Sequence, residues 1–134
     1  MNIIRMTLIS IIILSATLIF AYASQANNQV SIKQEIKKKK DFLKMCILIC
    51  TDMSRENGLR TNFRNGIDYF NKAIKEHKSL EKDPEILYRI GLAYYLGDHT
   101  LNPDKEKGIK YFNIAKKYGS EDAINALKEI KSEE

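Results

Sequence analysis

The sequence predicts an all-α protein, arranged as an α-solenoid of about two helix-turn-helix repeats plus a C-terminal capping helix. From Ser31 onwards apolar residues recur every three or four positions, with almost no alternation of apolar and polar residues, which indicates helices rather than strands. The segment from Gly66 to Ala73 recurs 42 positions later, from Gly108 to Ala115, with six identities in eight positions. A period of this length, with two helices in each repeat, is typical of an α-solenoid.

The N-terminus predicts a secretory signal peptide over residues 1–23. Arg5 precedes an uncharged apolar run from Met6 to Tyr22, and small residues follow at the positions that signal peptidase reads, which places cleavage after Ala23. Cleavage after Ala26 is a second possibility, since the same small-residue pattern recurs there. We therefore expect an exported bacterial protein, located in the periplasm or secreted, with no stable membrane insertion after cleavage.

An uncleaved membrane anchor is the alternative for this segment, because the apolar run is only just long enough to span a bilayer. The distribution of charge disfavours it: the block Lys37–Lys40 follows the run, so an anchor would leave the larger positive cluster outside. The first cysteine after the run is Cys46, so no residue is in place to carry the lipid of a lipoprotein.

Composition excludes several classes of protein. The chain has 134 residues, 44% of them hydrophobic, with 6 Gly, 2 Pro, 2 Cys and a net charge of +5. These values exclude collagenous or Pro-rich disordered material and a disulfide-rich scaffold. Loss of the signal segment with Arg5 lowers the charge from +5 to +4, which indicates solubility rather than nucleic-acid binding.

The mature chain divides into a polar leader and a row of helices. We expect residues 24–36 to be a flexible leader and residues 37–134 to be the repeat domain, with units at about 37–79 and 83–119 and the capping helix at 120–132. The predicted helices cover about 34–53, 62–77, 84–96, 104–118 and 120–132. The inward stripe of the first helix comprises Phe42, Leu43, Cys46, Ile47, Cys50 and Met53.

Local signals set the ends of these helices. Asp83 is a good N-cap and Pro84 is tolerated at the first helical position, where its missing N–H has no partner to lose. Asn102-Pro103-Asp104 and Ser120 start the last two helices. The expected stops are Asn57-Gly58, Gly97 and Gly119, because glycine readily adopts the left-handed conformation that ends a helix.

The second unit carries a spaced set of Gly, aromatic and small residues over about 83–126: Leu87, Ile90, Gly91, Tyr94, Gly97, Asp104, Lys107, Gly108, Tyr111, Phe112, Ala115, Gly119, Asp122 and Ala123. This pattern resembles the Sel1-like repeat, a relative of the tetratricopeptide repeat. In that family the Leu-Gly-x-x-Tyr-x-x-Gly run forms the first helix and its turn. The first unit lacks the Gly and Tyr of its first helix and looks degenerate, as terminal capping units often do.

The resemblance implies a protein without chemistry of its own that binds another protein as an adaptor, signalling scaffold or host-interaction factor. A more concrete version is an immunity protein that neutralises a toxin delivered to the periplasm. An enzyme is the alternative from another class, because some Cys-rich Sel1-like proteins are associated with β-lactam binding or hydrolysis. The absence of an activated Ser and of repeated Cys pairs argues against that alternative.

Cys46 and Cys50 lie one helical turn apart, and three interpretations stay open. The thiols are small apolar groups of the core, or they form a strained intrahelical disulfide, or they make an intermolecular bond or bind a ligand. The separation of one turn falls within bridging range, but both side chains lean towards the helix N-terminus rather than towards each other. Bridges that join the two helices of each unit in some family members cannot be transferred, because the second unit has no Cys.

The sequence predicts no catalytic, cofactor-binding or metal-binding residues. The two histidines have no second ligand at suitable spacing, and no nucleophile elbow or phosphate loop is present. The candidate partner-binding residues lie on the third helix and the loop that follows, because Tyr and Arg form binding hot spots and the first helices of successive repeats line the concave surface. They are Tyr88, Arg89, Tyr95, Asp98 and His99.

Overall fold

The computed structural model describes residues 2–52 and 61–133, and these residues form α-helices and one short 3-10 helix, with no strand among them. The protein is therefore all-α, as predicted. The elements are α1 (Asn2–Thr51), α2 (Phe63–Glu76), a 3-10 helix (Lys78–Lys82), α3 (Pro84–Leu96), α4 (Lys105–Lys117) and α5 (Glu121–Ser132). The predicted stop at Asn57-Gly58 and the inward Met53 lie outside the described residues.

Two compact units divide the chain, at residues 1–39 and 40–134. In the first unit the described side chains are all exposed. The apolar part of α1 is long and apolar enough to cross a membrane, with a mean hydropathy of 1.8 in its most apolar stretch, none of it buried within the protein. A signal sequence and a membrane anchor share this length and composition.

Residues 24–36 differ from the expected flexible leader, since they are helical and continuous with the rest of α1. The physical reason is local: no Gly or Pro occurs between Met1 and Asn57, so no residue in this stretch ends a helix. α1 accordingly begins at Asn2 rather than near Gln34.

Within residues 40–134 the predicted starts of α3 and α5 are confirmed. Asp83 accepts hydrogen bonds from the amides of Glu85 and Ile86 at 3.2 Å each, with Pro84 in the first turn. Ser120 accepts from the amide of Ala123 at 3.2 Å. Such caps satisfy N–H groups that have no partner within the helix.

α2 and α4 share their local features at the 42-residue spacing. Asn62 caps α2 by accepting from the amide of Asn65 at 3.0 Å, and Asp104 caps α4 by accepting from the amide of Lys107 at the same distance. The corresponding pairs Gly66 and Gly108, Phe70 and Phe112, and Ala73 and Ala115 are all buried. Each helix thus presents the same face to the core.

One hydrophobic core joins the helices of residues 40–134. Its fully buried members are Leu43, Ile47, Phe63, Ile67, Phe70, Ala73, Leu80, Ile86, Leu87, Ile90, Ala93, Phe112, Ala115 and Ala123. On α1 the buried stripe comprises Leu43, Ile47 and Thr51, whereas Phe42 is 57% exposed. Leu43 and Ile47 of the expected stripe are therefore confirmed, and Cys46 and Cys50 are half-buried. The expectation is wrong for Phe42, and Thr51 is an additional buried residue.

Glycines allow α3 and α4 to approach closely. A Cβ on Gly108 would lie 2.6 Å from Cβ and 2.8 Å from Cα of Tyr95, and a Cβ on Gly91 would lie 2.6 Å from the ring of Phe112. Neither distance can accommodate a carbon atom. α3 and α4 therefore pack with backbone against side chain, and this contact fixes the orientation of the tyrosines on α3.

Candidate partner-binding surface

The structure brings Tyr88 and Tyr95 together around one aromatic ring. Their ring centroids lie 5.7 Å and 5.9 Å from that of Phe112, which is itself buried. Burial, together with the negative charge of Asp122, raises the pKa of Tyr88 above its usual value. Both tyrosines and Arg89 are half-buried. The two rings therefore help to hold α3 against α4 while one side of each stays accessible.

The Asp98 carboxylate forms hydrogen bonds within the chain. Its carboxylate accepts hydrogen bonds from the amides of Thr100 at 2.8 Å, Leu101 at 3.0 Å and Phe63 at 2.9 Å, and from the Thr100 hydroxyl at 2.6 Å. Burial alone would raise its pKa, but the hydrogen bonds outweigh it and lower the pKa to about 2. Asp98 thus closes the loop after α3 and attaches it to the first residue of α2. His99, beside it, is exposed, with Nδ1 4.0 Å from the carboxylate.

The residues predicted for partner binding therefore have different surroundings. Asp98 has a side chain only 7% exposed, whereas that of His99 is 47% exposed. Tyr88, Arg89 and Tyr95 lie between these extremes. Of the five, His99 has the most exposed side chain, and the rings of the two tyrosines are partly exposed to solvent.

A larger concave surface lies elsewhere, between α2 and α4, and we name it the α2–α4 groove. It has a volume of about 740 Å³. The lining residues come from α2, the 3-10 helix, α3, α4 and the α4 caps: Phe70, Ile74, Glu81, Lys82, Leu87, Asp104, Glu106, Lys107, Lys110, Tyr111, Ile114 and Tyr118. None of the five residues predicted for partner binding lines this groove.

Two aromatic residues that line the α2–α4 groove, Phe70 and Tyr111, belong to an aromatic cluster that Tyr94 completes behind them. Tyr94 and Tyr111 lie parallel, with centroids 5.7 Å apart and an angle of 11° between their planes, and Phe70 meets Tyr111 edge-on at 6.2 Å. Lys107 places Nζ 4.2 Å from the centre of the Tyr94 ring. A hydrogen bond with Tyr94 raises the pKa of Lys107, so its positive charge is held beside the groove.

One signal in the sequence could have indicated this groove. Tyr111, Ile114 and Tyr118 are spaced i, i+3 and i+7, so they form a second apolar stripe on α4 beside the buried stripe that contains Phe112. Whether a second stripe faces solvent or another helix depends on the neighbouring elements, which sequence periodicity does not specify.

Cys46 and Cys50 are half-buried and are not joined by a disulfide. A Cβ on Gly66 would lie 3.3 Å from Cβ of Cys50, so this cysteine lies at the contact between α1 and α2. Within residues 2–52 and 61–133 no group of three or more His, Cys, Asp and Glu side chains is arranged to hold a metal ion.

Comparisons of the chain with protein-family models, with curated proteins and with solved structures give no match.

Proposed function

We propose that this chain is an exported, periplasmic Sel1-like repeat protein that binds another protein through the α2–α4 groove. The observation that carries the proposal is the combination of an apolar and aromatic floor with a rim of both charges. Glu81, Asp104 and Glu106 stand among Lys82, Lys107 and Lys110 on this rim. Protein interfaces have an apolar, aromatic centre and a polar rim.

The exposure of the rim favours a protein rather than a small molecule as the ligand. Small-molecule sites orient their ligand with a few fixed polar groups inside a mostly apolar cavity. In the groove every charged side chain is exposed or half-buried, and Tyr118, at its edge, is 36% exposed. Such side chains suit a broad surface that becomes ordered when a partner covers it.

The equivalent features of α2 and α4 support the repeat interpretation. Both helices begin at an Asx N-cap, carry glycine at the fourth helical position and bury Phe and Ala at the same spacing. A duplicated helix pair would produce this correspondence, and stacked pairs would leave grooves between their second helices.

The test is affinity capture of the partner by tagged variants. Tyr118→Ala removes an exposed aromatic ring from the groove, and we expect it to weaken capture about ten-fold or more, which corresponds to the loss of one hot-spot contact. Tyr69→Ala is the matched control, because Tyr69 is also 36% exposed but lies on α2 outside the groove. Equal retention by both variants would place the interface elsewhere, and no partner for the unaltered chain would contradict the proposed function.

A membrane-anchored helical adaptor is the second candidate, and the continuity of α1 favours it. The helix runs without interruption from the apolar segment through Ala23 and Ala26 to Thr51. N-terminal sequencing of the protein from membrane and periplasmic fractions separates the two forms: a start near Ser24 supports export, and an intact N-terminus in the membrane supports the anchor.

The immunity function stays a finer proposal within the first candidate. Deletion of the gene should make cells sensitive to sibling cells that deliver the toxin. Unchanged survival in such a competition would remove this version and leave partner binding as proposed.

A further inference from the structure

A second groove lies between α4 and α5, on surfaces that the α2–α4 groove does not use. We name it the α4–α5 groove. It has a volume of about 260 Å³, and its apolar floor comprises Ile109 of α4 and Ile124, Leu127 and Ile130 of α5. Asn113 also lines it, with its side-chain amide donating to the carbonyl of Ile109 at 3.0 Å.

The floor of this groove is incompletely covered compared with the equivalent surface of the first repeat. Ile109 corresponds to Ile67 at the 42-residue spacing. Ile67 is only 8% exposed and belongs to the core, whereas Ile109 is half-buried and lies in the groove. Ile124 is also half-buried. The position that is covered in α2 is therefore left accessible in α4.

The charge around the α4–α5 groove has one sign. Lys116, Lys128 and Lys131 line it, and no Asp or Glu is among its lining residues. All three lysines are exposed. This surface differs from the α2–α4 groove, whose rim carries both signs. An apolar floor with a purely basic border is complementary to an apolar stripe bordered by carboxylates.

We infer that the α4–α5 groove binds an acidic amphipathic helix of a partner protein. The walls are two helices, and a groove of this kind receives the apolar face of a third, whose anchors are spaced i, i+3 and i+7. The α5 residues that line the groove run from Ile124 to Lys131, so it contacts about 12 Å, or about two turns, of the bound helix. This inference rests on the proposed function, since it takes the chain to be a protein-binding module, and it adds the location and chemistry of a second contact.

The direct test is titration of the full chain, held in phosphatidylcholine nanodiscs, with a fluorescent peptide of about 15 residues that has Leu at helical spacing and Glu at the flanking positions. The triple variant Lys116→Glu, Lys128→Glu, Lys131→Glu should weaken binding about ten-fold or more, and rising salt should weaken binding to the unaltered chain. Because these lysines are exposed, the reversal leaves the core intact.

A matched control changes the same number of exposed charges elsewhere. The variant Lys72→Glu, Lys75→Glu, Lys105→Glu alters α2 and the first turn of α4, outside both grooves, and should bind the peptide as the unaltered chain does. Ile124→Ser tests the floor and should also weaken binding, with an unchanged circular dichroism spectrum. No binding to the unaltered chain, equal binding by the two triple variants, or equal binding of a peptide with Lys in place of Glu would overturn the inference. Tighter binding of single-stranded DNA than of the acidic peptide would overturn it as well.

The captured partner separates this inference from the proposed function. A partner that is captured by the unaltered chain and lost from the triple variant at the α4–α5 groove supports both. A partner that this triple variant retains overturns the inference and leaves the proposed function standing. The absence of any partner for the unaltered chain contradicts the proposed function, whereas the peptide titration still decides the chemistry of the α4–α5 groove.

Discussion

Asparagine in place of Asp98 removes the charge from the carboxylate that closes the loop after α3. The oxygen of the new amide can still accept the hydrogen bonds that Oδ1 receives from the Thr100 amide at 2.8 Å and the Leu101 amide at 3.0 Å. The amide nitrogen, however, would face the Phe63 N–H, which now donates to Oδ2 at 2.9 Å. Two donors cannot pair, so the first residue of α2 loses its acceptor.

The magnitude follows from the pKa of the carboxylate. Folding lowers the pKa of Asp98 from 3.8 to about 2. At 1.36 kcal/mol per pKa unit, this shift corresponds to a stabilisation of about 2 kcal/mol by the charged form. Hydrogen bonds to charged groups contribute about 1.5–3 kcal/mol each. We therefore expect Asp98→Asn to lower the free energy of unfolding at neutral pH by about 2 kcal/mol.

The pH dependence has a definite sign. Because the pKa of Asp98 is lower in the folded state, its contribution is fully present above the unfolded value of 3.8 and is lost as the pH falls towards about 2. The stability difference between wild type and Asp98→Asn should therefore be largest above pH ~4 and should shrink as the pH falls towards pH ~2.

Urea denaturation of residues 24–134, followed by far-ultraviolet circular dichroism at several pH values, measures this difference. Asp68→Asn is the control, since Asp68 is an exposed aspartate of α2, and it should change stability by less than about 0.5 kcal/mol. A loss for Asp98→Asn as small as that of the control, or a loss that does not shrink on acidification, would refute the reasoning.

Two substitutions and one labelling experiment test other contacts of the structure. Gly108→Ala should lower the free energy of unfolding by at least about 1 kcal/mol despite the better helix propensity of alanine, because its Cβ would meet the backbone of Tyr95 at 2.8 Å. Thermal unfolding measures this loss. The control is Asn113→Ala, on the exposed face of the same helix, which should have a smaller effect than Gly108→Ala. Asp83→Ala should cost about 1–2 kcal/mol in urea unfolding, since it removes the α3 cap and the 3.0 Å ion pair with Lys44, and a neutral result would contradict the cap assignment. Both thiols of α1 should react with maleimide without prior reduction, as mass spectrometry would show, and protection that disappears only after reduction would indicate a disulfide.

The helices were predictable because their signals are local. Asp83 followed by Pro84 defines a helix start by side-chain and ring chemistry alone, and Gly97 adopts the φ of +63° that its position after α3 requires. The all-α class follows from apolar spacing. The continuation of α1 through residues 24–36 was missed, since a polar composition was read as flexibility although no helix-breaking residue occurs there.

The candidate surfaces were less predictable because they depend on contacts between distant residues. Asp98 looked like an exposed loop residue, but Phe63, 35 residues earlier, donates its amide to it. Phe42 and Leu43 both lie on the apolar side of α1 by sequence, yet the neighbouring helices cover Leu43 and leave Phe42 57% exposed. The edge of a buried stripe depends on which side chains the packing partners reach, and sequence periodicity does not specify this.

The sequence by itself determined the helical class, the caps and the long apolar N-terminal segment, because each depends on residues within a few turns of each other. The 42-residue spacing that relates α2 to α4 is also visible in the sequence, since it is a match of residue types and needs no contact. The tertiary structure alone decided which apolar stripes face solvent. Tyr111 and Ile109 belong to the same helix, but the first lines the α2–α4 groove and the second the α4–α5 groove. The physical reason is that burial depends on the arrangement of neighbouring helices, and that arrangement is fixed by close contacts such as the one between Gly108 and Tyr95.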